Sequence, residues 1–336
     1  MTESQSPQLS SRQFVERFEQ IVTNVGKVIK GKDDVIRLCL VCLLSEGHVL
    51  FEDMPGTGKT MLARSIAQSI DAQSSRVQCT PDLLPADITG STVLDRKNDD
   101  FVFRRGPVFA NIFLADEVNR ATPKTQSALL EAMAERRVTY DGQTHLLPRP
   151  FFVLATMNPI ELAGTFPLPE AQLDRFLFKL SLGYADRDAE AEVLRVNSRE
   201  EAITSLTSVV ALHELTEMIE WAKEVLVSEE ILYYAVDLVQ ASRTDPALQM
   251  GASSRASQAL MRAAKVMAAS QGRDDVLPDD VKQLVSPVLG HRLVLTADAQ
   301  LRDETIEGVI DRIVHRVRVP MGAGPRRQPV TEPAPV

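Results

Sequence analysis

The sequence predicts an α/β domain built on a parallel five-stranded sheet with flanking helices, followed by a smaller α-helical domain. Two observations support this fold class. In the first half of the chain, short and nearly continuous apolar runs alternate with helical segments, a pattern typical of a parallel sheet covered on both faces. After about residue 186 the strand-like runs stop, and one helical segment follows another.

The individual elements are predicted from the spacing of apolar residues. From Phe14 to Val28 these residues recur with a helical period, and a second helix begins near Asp33 and ends before Gly47. The predicted strands are residues 48–51, 76–79, 111–115, 151–156 and 176–182. The helices between the strands are residues 59–70, 123–136 and 169–175, and those of the second domain are residues 186–199, 208–224, 228–243, 253–270, 277–286 and 303–316.

Two insertions interrupt the alternation of strands and helices. Residues 90–106 have a polar centre, and residues 137–147 contain Asp141-Gly142, a strong turn signal, so both are predicted as hairpins. The ends of the chain are polar or rich in proline and glycine, which favours disorder. The predicted divisions are a disordered N-terminus (1–11), an α/β domain (12–185), an α-helical domain (186–319) and a disordered Pro-rich tail (320–336).

Composition limits the classes of function. The net charge of −9 gives no overall electrostatic attraction to nucleic acid, although a local basic strip would still allow it. The apolar stretch from Val35 to Leu44 is too short to span a bilayer, and the first residues lack the profile of a signal peptide. The 3 cysteines suit a reducing compartment and are expected to be buried thiols. We therefore expect a cytoplasmic protein.

The stretch EDMPGTGKT, from Glu52 to Thr60, is typical of a phosphate-binding loop between a strand and a helix. Glycines allow the backbone amides to point inward at a phosphate, while the helix that starts near Lys59 directs its positive end there. Lys59 would reach the β- and γ-phosphates, and Thr60 would bind Mg²⁺. Asp53 stands where the usual pattern has its first glycine. The predicted nucleotide-binding residues of this segment are Pro55, Gly56, Thr57, Gly58, Lys59, Thr60 and Met61.

Polar side chains follow two further predicted strands. NIFLADE ends in Asp116 and Glu117, and FFVLATMN ends in Asn158. Ligands of open α/β sheets bind at the carboxyl ends of the strands. Asp116 would hold the hydrated Mg²⁺, Glu117 would activate the attacking water, and Asn158 would position it. Taken alone, Asn158-Pro159 is typical of a simple turn.

These segments together resemble the AAA+ ATPases and, within them, the MoxR family, over roughly residues 14–320. The resemblance is carried by EDMPGTGKT, RGPVFANIFLADEVNRATPKTQSALLEAMAER, FFVLATMNPIELAGTFPLPEAQLDRF and GASSRASQALMRAAK. It implies that the loop around Lys59 is Walker A, that Asp116 and Glu117 form Walker B, and that Asn158 is sensor 1.

The resemblance also assigns residues outside the phosphate loop. It implies that Arg175 is an arginine finger that faces a neighbouring subunit and that Arg255 is sensor 2, acting in its own subunit or in the neighbour's. Val28 and Ile29 are the nearest candidates for packing on adenine, and Arg120 is a further candidate for crossing the interface. The two hairpins resemble the helix-2 insert and the pre-sensor-1 hairpin of the MoxR-containing branch.

The implied function is Mg²⁺-dependent ATP hydrolysis in a ring, by family resemblance a hexamer, that remodels client proteins. MoxR relatives resemble chaperones for metalloenzymes or for partners with a von Willebrand factor A domain. Alternatives are a metal-chelatase-like or nucleic-acid-associated motor, which DNA-stimulated ATPase activity would favour, and a nucleotide-gated binding module that holds ATP without turnover. The presence of Glu117 argues against the last of these.

Overall fold

The structure is a computed structural model that describes residues 9–54, 56–95, 97–158, 164–184, 187–188, 190–191 and 203–320. Among the predicted features, Pro55, Pro159 and most of the helix at residues 186–199 lie outside the described residues, as do residues 1–8 and 321–336 of the two predicted disordered ends.

The first part of the described chain contains α1 (Ser11–Gly26), α2 (Asp33–Leu44), β1 (Val49–Glu52), α3 (Lys59–Ser69), β2 (Ser74–Gln78), α4 (Pro85–Thr89), β3 (Gly90–Asp95), β4 (Asp100–Arg105), β5 (Ile112–Asp116), α5 (Pro123–Glu135), β6 (Arg137–Tyr140), β7 (Gln143–Leu146), β8 (Phe152–Met157), α6 (Glu170–Leu173) and β9 (Phe178–Leu180). The second part contains α7 (Leu212–Lys223), α8 (Glu229–Arg243), β10 (Leu248–Met250), α9 (Ser254–Ser270), α10 (Pro278–Leu289), β11 (Val294–Leu295), α11 (Ala297–Leu301) and α12 (Ile306–Arg316).

A parallel five-stranded sheet in the order β2-β5-β8-β1-β9 forms the centre of the first part. The predicted fold class is therefore confirmed. Strand β8 lies between β5 and β1, so the segments that follow these three strands meet at one edge of the sheet. This carboxyl edge is where a ligand of an open parallel sheet binds.

The apolar core lies on both faces of the sheet because side chains alternate along each strand. Phe51 and Leu154 face a cluster formed with α1, α2, α3 and the helices of the second part, whereas Leu50 and Val153 face a cluster formed with α5. Phe14 of α1 lies 5.3 Å, between ring centroids, from Trp221 of α7. The core is thus continuous from the α/β part into the helical part.

The two predicted insertions are antiparallel hairpins, β3–β4 and β6–β7, outside the main sheet. Gly90 begins the first hairpin with a φ of 98°, and a Cβ atom there would lie 2.3 Å from the carbonyl oxygen of Arg104. Only glycine allows this close approach of the two strands.

Two boundaries differ from the prediction. The ordered chain begins before residue 12, because Leu9 is buried and Ser10 caps α1 in a reciprocal pair of hydrogen bonds with Gln13. Strands also continue after residue 186, since β10 and β11 pair antiparallel within the helical part. These two strands are only 3 and 2 residues long, too short to give a periodic sequence signal.

Candidate functional site

The phosphate loop lies between β1 and α3 and has a glycine-dependent backbone. Gly56 and Gly58 have φ values of 86° and 100°, in the left-handed region. A Cβ atom on Gly56 would meet nothing within 4 Å, so the backbone angle rather than crowding requires glycine there. The loop leads directly into the N-terminus of α3 at Lys59, which favours a negatively charged ligand.

Lys59 is buried against its own loop. Its Nζ donates to the carbonyl oxygens of Met54 at 2.9 Å and Asp53 at 3.2 Å, and to the hydroxyl of Thr57 at 3.4 Å. Burial lowers the pKa of the ammonium group, while the nearby charges of Asp53, Asp116 and Glu117 oppose this effect. Lys59 is therefore a partly desolvated ammonium group that lies close to the carboxylates of Asp116 and Glu117.

The hydroxyl of Thr156 fixes both predicted Walker B residues. It donates to Oδ1 of Asp116 at 2.6 Å and accepts the backbone N–H of Glu117 at 2.8 Å. Thr156 is buried on β8, the strand beside β5. Glu117 itself has a φ of 56°, a left-handed conformation that costs a residue with a Cβ about 1–2 kcal/mol. The hydroxyl therefore helps to hold Glu117 in that conformation.

Two arginines pair with these carboxylates. Arg76 of β2 donates to Oδ2 of Asp116 at 2.7 Å, and Arg120 donates to Oε2 of Glu117 at 2.9 Å. Arg120, a candidate for crossing a subunit interface, thus contacts Glu117 of its own chain. The motif search missed Thr156 and Arg76. Thr156 had a weak signal, as a polar residue inside an apolar strand two positions before Asn158, whereas Arg76 had none.

Asn158 and the adenine candidates lie near the same edge. Asn158 directly follows β8, between the ends of β5 and β1. Ile29 is buried in the core and Val28 packs against it, in the turn between α1 and α2. In that turn, Lys32 donates to the carbonyl oxygen of Tyr184 at 2.7 Å. The turn therefore contacts the segment that follows β9.

Asp53, at the position of the missing first glycine, binds this same segment. Its buried carboxylate accepts the hydroxyl of Ser181 at 2.7 Å and the backbone N–H groups of Leu182 at 2.7 Å and Gly183 at 3.0 Å. Its backbone carbonyl accepts from Lys59. The departure from the usual motif thus joins the entrance of the phosphate loop to the chain that leaves the sheet.

The residues at the carboxyl edge fit a magnesium-bound nucleotide. The loop backbone and Lys59 suit the phosphates, and the hydroxyl of Thr60 with the carboxylate of Asp116 are the hard oxygen ligands that Mg²⁺ prefers. Asp116 already pairs with a cation, Arg76, which shows that this position stabilises positive charge. Met61 lies in the first turn of α3 and packs against the apolar core.

Arg175 and Arg255 lie at the opposite, amino edge of the sheet. Arg175 precedes β9 and donates to the carbonyl oxygen of Leu130 in α5 at 2.9 Å. Arg255, in the first turn of α9, lies 3.6 Å from a carboxylate oxygen of Asp174. Leu177 and Phe178, which follow Arg175, donate their backbone N–H groups to the carbonyl oxygen of His48, just before β1. Because β1 and β9 are parallel, the length of the strands separates both arginines from the phosphate loop.

These two arginines belong to a cationic cleft of about 490 Å³ at the amino edge. The basic side chains that line it outnumber the two acidic ones. The basic residues are Arg136, Arg175, Arg255, Arg262 and Arg292, and the acidic ones are Glu46 and Asp174. The structure therefore brings Lys59, Asp116, Glu117 and Asn158 together at one edge and places Arg175 and Arg255 together at the other.

Comparison with known proteins agrees with this architecture. Residues 48–178 match the family described as the ATPase family associated with various cellular activities (AAA), and residues 240–313 match the AAA lid domain. A solved structure from Cytophaga hutchinsonii, provisionally described as an ATPase, superposes with a TM-score of 0.87 at 37% identity, covering 92% of this chain and 97% of that one.

Three relatives match over most of their length. The protein YeaC of Bacillus subtilis is 46% identical, over 89% of this chain and 94% of its own. The chaperone MoxR1 of Mycobacterium tuberculosis is 42% identical, over 91% and 83%. The protein MoxR of Paracoccus denitrificans is 30% identical, over 90% and 96%. With the five-stranded sheet, the phosphate loop and the lid domain, these matches show that the chain belongs to the MoxR family of AAA+ ATPases.

Proposed function

We propose that the protein hydrolyses ATP with Mg²⁺ in a ring of identical subunits and uses the reaction to remodel client proteins. One observation supports the chemistry above all others: a buried lysine in a glycine-dependent loop lies at the same sheet edge as Asp116 and Glu117, which share one hydroxyl anchor. An ordinary strand-to-helix turn has no need for this combination of groups.

Each residue at the carboxyl edge has a proposed role. Lys59 binds the β- and γ-phosphates, and its three contacts within the loop are exchanged for phosphate oxygens. Thr60 and Asp116 would hold Mg²⁺, which would neutralise charge on the phosphoryl group. Glu117 accepts the proton of the attacking water, and Asn158 orients that water. In this conformation Arg120 pairs with Oε2 of Glu117, the carboxylate that is proposed to accept this proton.

Arg175 and Arg255 are proposed to act on the nucleotide of a neighbouring subunit. Their place at the amino edge supports this, because neither is directed at the phosphate loop of its own chain. An arginine finger contributes roughly a 10³- to 10⁵-fold rate increase. A lone subunit is therefore expected to be a poor ATPase, and the proposed active form is a ring, with six subunits suggested by family resemblance.

The client remains a proposal from the relatives. The name of the Mycobacterium tuberculosis relative, Chaperone MoxR1, supports a chaperone role. A partner with a von Willebrand factor A domain is proposed from the family resemblance alone. The 3 described cysteines are free thiols, which supports work in a reducing compartment such as the cytoplasm. Within the described residues, no helix combines the length and the apolar character needed to cross a bilayer.

Substitution of Glu117 tests the chemistry. Glu117→Gln keeps the shape of the side chain but removes its ability to accept a proton. We expect it to bind a fluorescent ATP analogue like the wild type, to lose phosphate release and to accumulate assembled rings. Glu131→Gln, an exposed acid on α5, is the matched control and keeps full turnover. Near wild-type turnover by Glu117→Gln would show that the base is another residue.

Mixed rings test whether Arg175 acts between subunits. Arg175→Ala and Lys59→Ala are each expected to abolish turnover alone. When the two are mixed, some interfaces join an intact phosphate loop to an intact Arg175, so part of the activity should return. If size measurements show mixed rings but phosphate release stays at zero, Arg175 acts within its own chain.

A further inference from the structure

We propose that His291 and Arg292 of the lid domain are positioning residues that hold the turn carrying Arg175 in place for the neighbouring subunit's nucleotide. This inference rests on the proposed function, because it assigns the lid a role in the trans-acting site. The turn, residues 174–177, connects α6 to β9 and is called the finger turn here.

Arg292 makes an extensive set of contacts with the finger turn. Its Nε donates to Oδ1 of Asp174 at 2.7 Å, and its Nη2 donates to the carbonyl oxygens of Asp174 at 3.2 Å and Phe176 at 2.7 Å. Its Nη1 donates to the carbonyl oxygen of Leu177 at 3.3 Å and also to Val288, one turn back in α10. A single guanidinium thus binds a side chain and three backbone carbonyls of the turn.

His291 adds a further hydrogen bond to the finger turn. Its Nε2 lies 3.0 Å from the carbonyl oxygen of Phe176, and because a carbonyl only accepts, that nitrogen carries the proton. Burial lowers the pKa of His291, and the charge of Arg292 adds to this effect, so the ring is neutral. Phe176 therefore accepts from two consecutive lid residues.

Burial makes these contacts hard to replace. The side chain of Arg292 is only 5% exposed, and a buried cation is tolerated only when its donors are satisfied. On the other side of the turn, the N–H groups of Leu177 and Phe178 both donate to the carbonyl oxygen of His48 before β1. The turn is thus held between β1 and the lid, and Asp174 also lies near Arg255.

The position of Arg175 depends on this arrangement because Arg175 lies between Asp174 and Phe176, which both accept hydrogen bonds from Arg292. A displacement of about 1 Å in a catalytic group can cost about 100-fold in rate. If the lid of one subunit shifts, its Arg292 moves the turn, and Arg175 moves relative to the next subunit's γ-phosphate. The contacts thus connect the lid of one subunit to catalysis in its neighbour.

The test compares Arg292→Met with Arg273→Met. Arg273 also pairs with a buried acid, donating two hydrogen bonds to Asp280 at 2.5 Å and 2.8 Å, but this pair lies entirely within the lid. Both variants should lower the melting temperature. Only Arg292→Met should lower kcat, by about 10- to 100-fold, with the dissociation constant of a fluorescent ATP analogue unchanged. Arg292→Lys, which keeps the charge but fewer donors, should recover part of kcat.

A loss of kcat that is equal in the two methionine variants would overturn the inference, since it would indicate only lid stability. Unchanged kcat in Arg292→Met would do the same. If Arg292→Met fails to fold, the comparison is made with Arg292→Lys and with Asp174→Asn, which removes the charge that Arg292 binds but leaves the three carbonyls bound.

Mixed rings distinguish this inference from the function on which it rests. Arg292→Met supplies an intact phosphate loop, and Lys59→Ala supplies an intact lid and finger turn, so mixing them should restore part of the activity. If the Arg175→Ala mixture recovers but the Arg292→Met mixture does not, the positioning role is wrong while the shared site stands. If neither mixture recovers although mixed rings form, the shared site itself is wrong.

Discussion

Thr156 shows how one hydroxyl can organise two carboxylates of the proposed catalytic site. It donates to the last residue of β5, Asp116, and accepts from the first residue after that strand, Glu117. These two acids need different orientations, since one is proposed to bind a metal and the other a water. The shared contact fixes the relative position of both, and it comes from the neighbouring strand rather than from the motif itself.

We predict that Thr156→Val lowers both stability and turnover. Valine has the same shape, but it leaves Oδ1 of Asp116 and the N–H of Glu117 without this partner, which costs about 1–3 kcal/mol in unfolding free energy. We expect kcat to fall at least about tenfold, equivalent to about 1.4 kcal/mol, with nucleotide affinity maintained by Lys59. Urea unfolding and phosphate release measure the two effects. Thr156→Ser keeps the hydroxyl and should retain most activity.

The residues of the site differ in how far the sequence predicts them. Lys59, Asp116 and Glu117 lie at or shortly after the carboxyl ends of predicted strands, so their convergence follows from the rules of parallel sheets. Thr156 and Arg76 act through pairing between strands that are distant in sequence, and only the sheet order shows which strands are neighbours. Their roles therefore could not be read from local pattern.

At the scale of elements, Asp53 joins β1 to the segment that leaves β9. A glycine at this position, as in the usual motif, would have no side chain to bind the N–H groups of Leu182 and Gly183. These two amides and the hydroxyl of Ser181 converge on one buried carboxylate. The element that begins the nucleotide site and the element that leads toward the lid are therefore joined at one residue.

We predict that Asp53→Gly and Asp53→Asn loosen this segment. Glycine removes all three contacts, and asparagine keeps only one oxygen to accept them, so the free energy of unfolding should fall by about 1–3 kcal/mol. Amide hydrogen exchange at Leu182 and Gly183 should become faster. The adjacent Glu52→Gln is the control, because both side chains of its pair with Lys179 are 34% exposed and the pair contributes at most about 1 kcal/mol. Unchanged exchange in both Asp53 variants would contradict the prediction.

The sequence predicted which strands and helices exist better than it predicted where they begin and end. The five strands and the helices of the lid have long apolar or periodic runs, and the structure confirms them in the described residues. The short pair β10–β11 and the early start of α1 depend on a tertiary contact and on the cap formed by Ser10. Neither feature produces a regular spacing of apolar residues, so neither could be predicted from that spacing.

At the scale of the whole molecule, Glu46 links its own segment to three others that are distant in sequence. Its carboxylate binds Arg136 and Arg149, each at 2.9 Å, and Lys223 of α7 at 3.0 Å. Burial by itself raises the pKa of Glu46, but the hydrogen bonds from Arg149 and Lys223 and the charge of Arg136 outweigh it and lower the pKa to about 2. The acid thus stabilises the contact between the α/β part and the helical part of the chain.

We predict a loss of stability in acid that depends on Glu46. Because the folded pKa of about 2 lies below the ordinary value of 4.5, the contribution is fully present above pH 4.5 and is lost as the pH falls toward 2. Glu46→Gln should therefore be about 1–3 kcal/mol less stable at pH 7, and the difference from wild type should shrink in that acid range. Urea unfolding at several pH values measures it. Glu135→Gln, in an exposed pair, should behave like wild type.

The position of Arg255 also depends on the packing of the whole molecule. Family resemblance proposes that it senses a phosphate, but the sequence leaves open whose phosphate, because the answer depends on how the lid packs on the sheet. The lid places it beside Asp174 at the amino edge. Long-range packing of this kind has no local signature, which explains why the resemblance identified the residue but not its direction of action.

Helix α1 has a consequence for any attempt to divide the protein. It packs Phe14 on Trp221, pairs Arg17 with Glu214 at 2.8 Å, and is linked through Asn24 to Ser69 of α3 at 3.0 Å. Cleavage between residues 184 and 203 would leave α1 with the N-terminal fragment and expose an apolar surface on the C-terminal fragment. The two fragments are expected to aggregate or to stay noncovalently associated. Calorimetry of the intact chain should show a single melting peak.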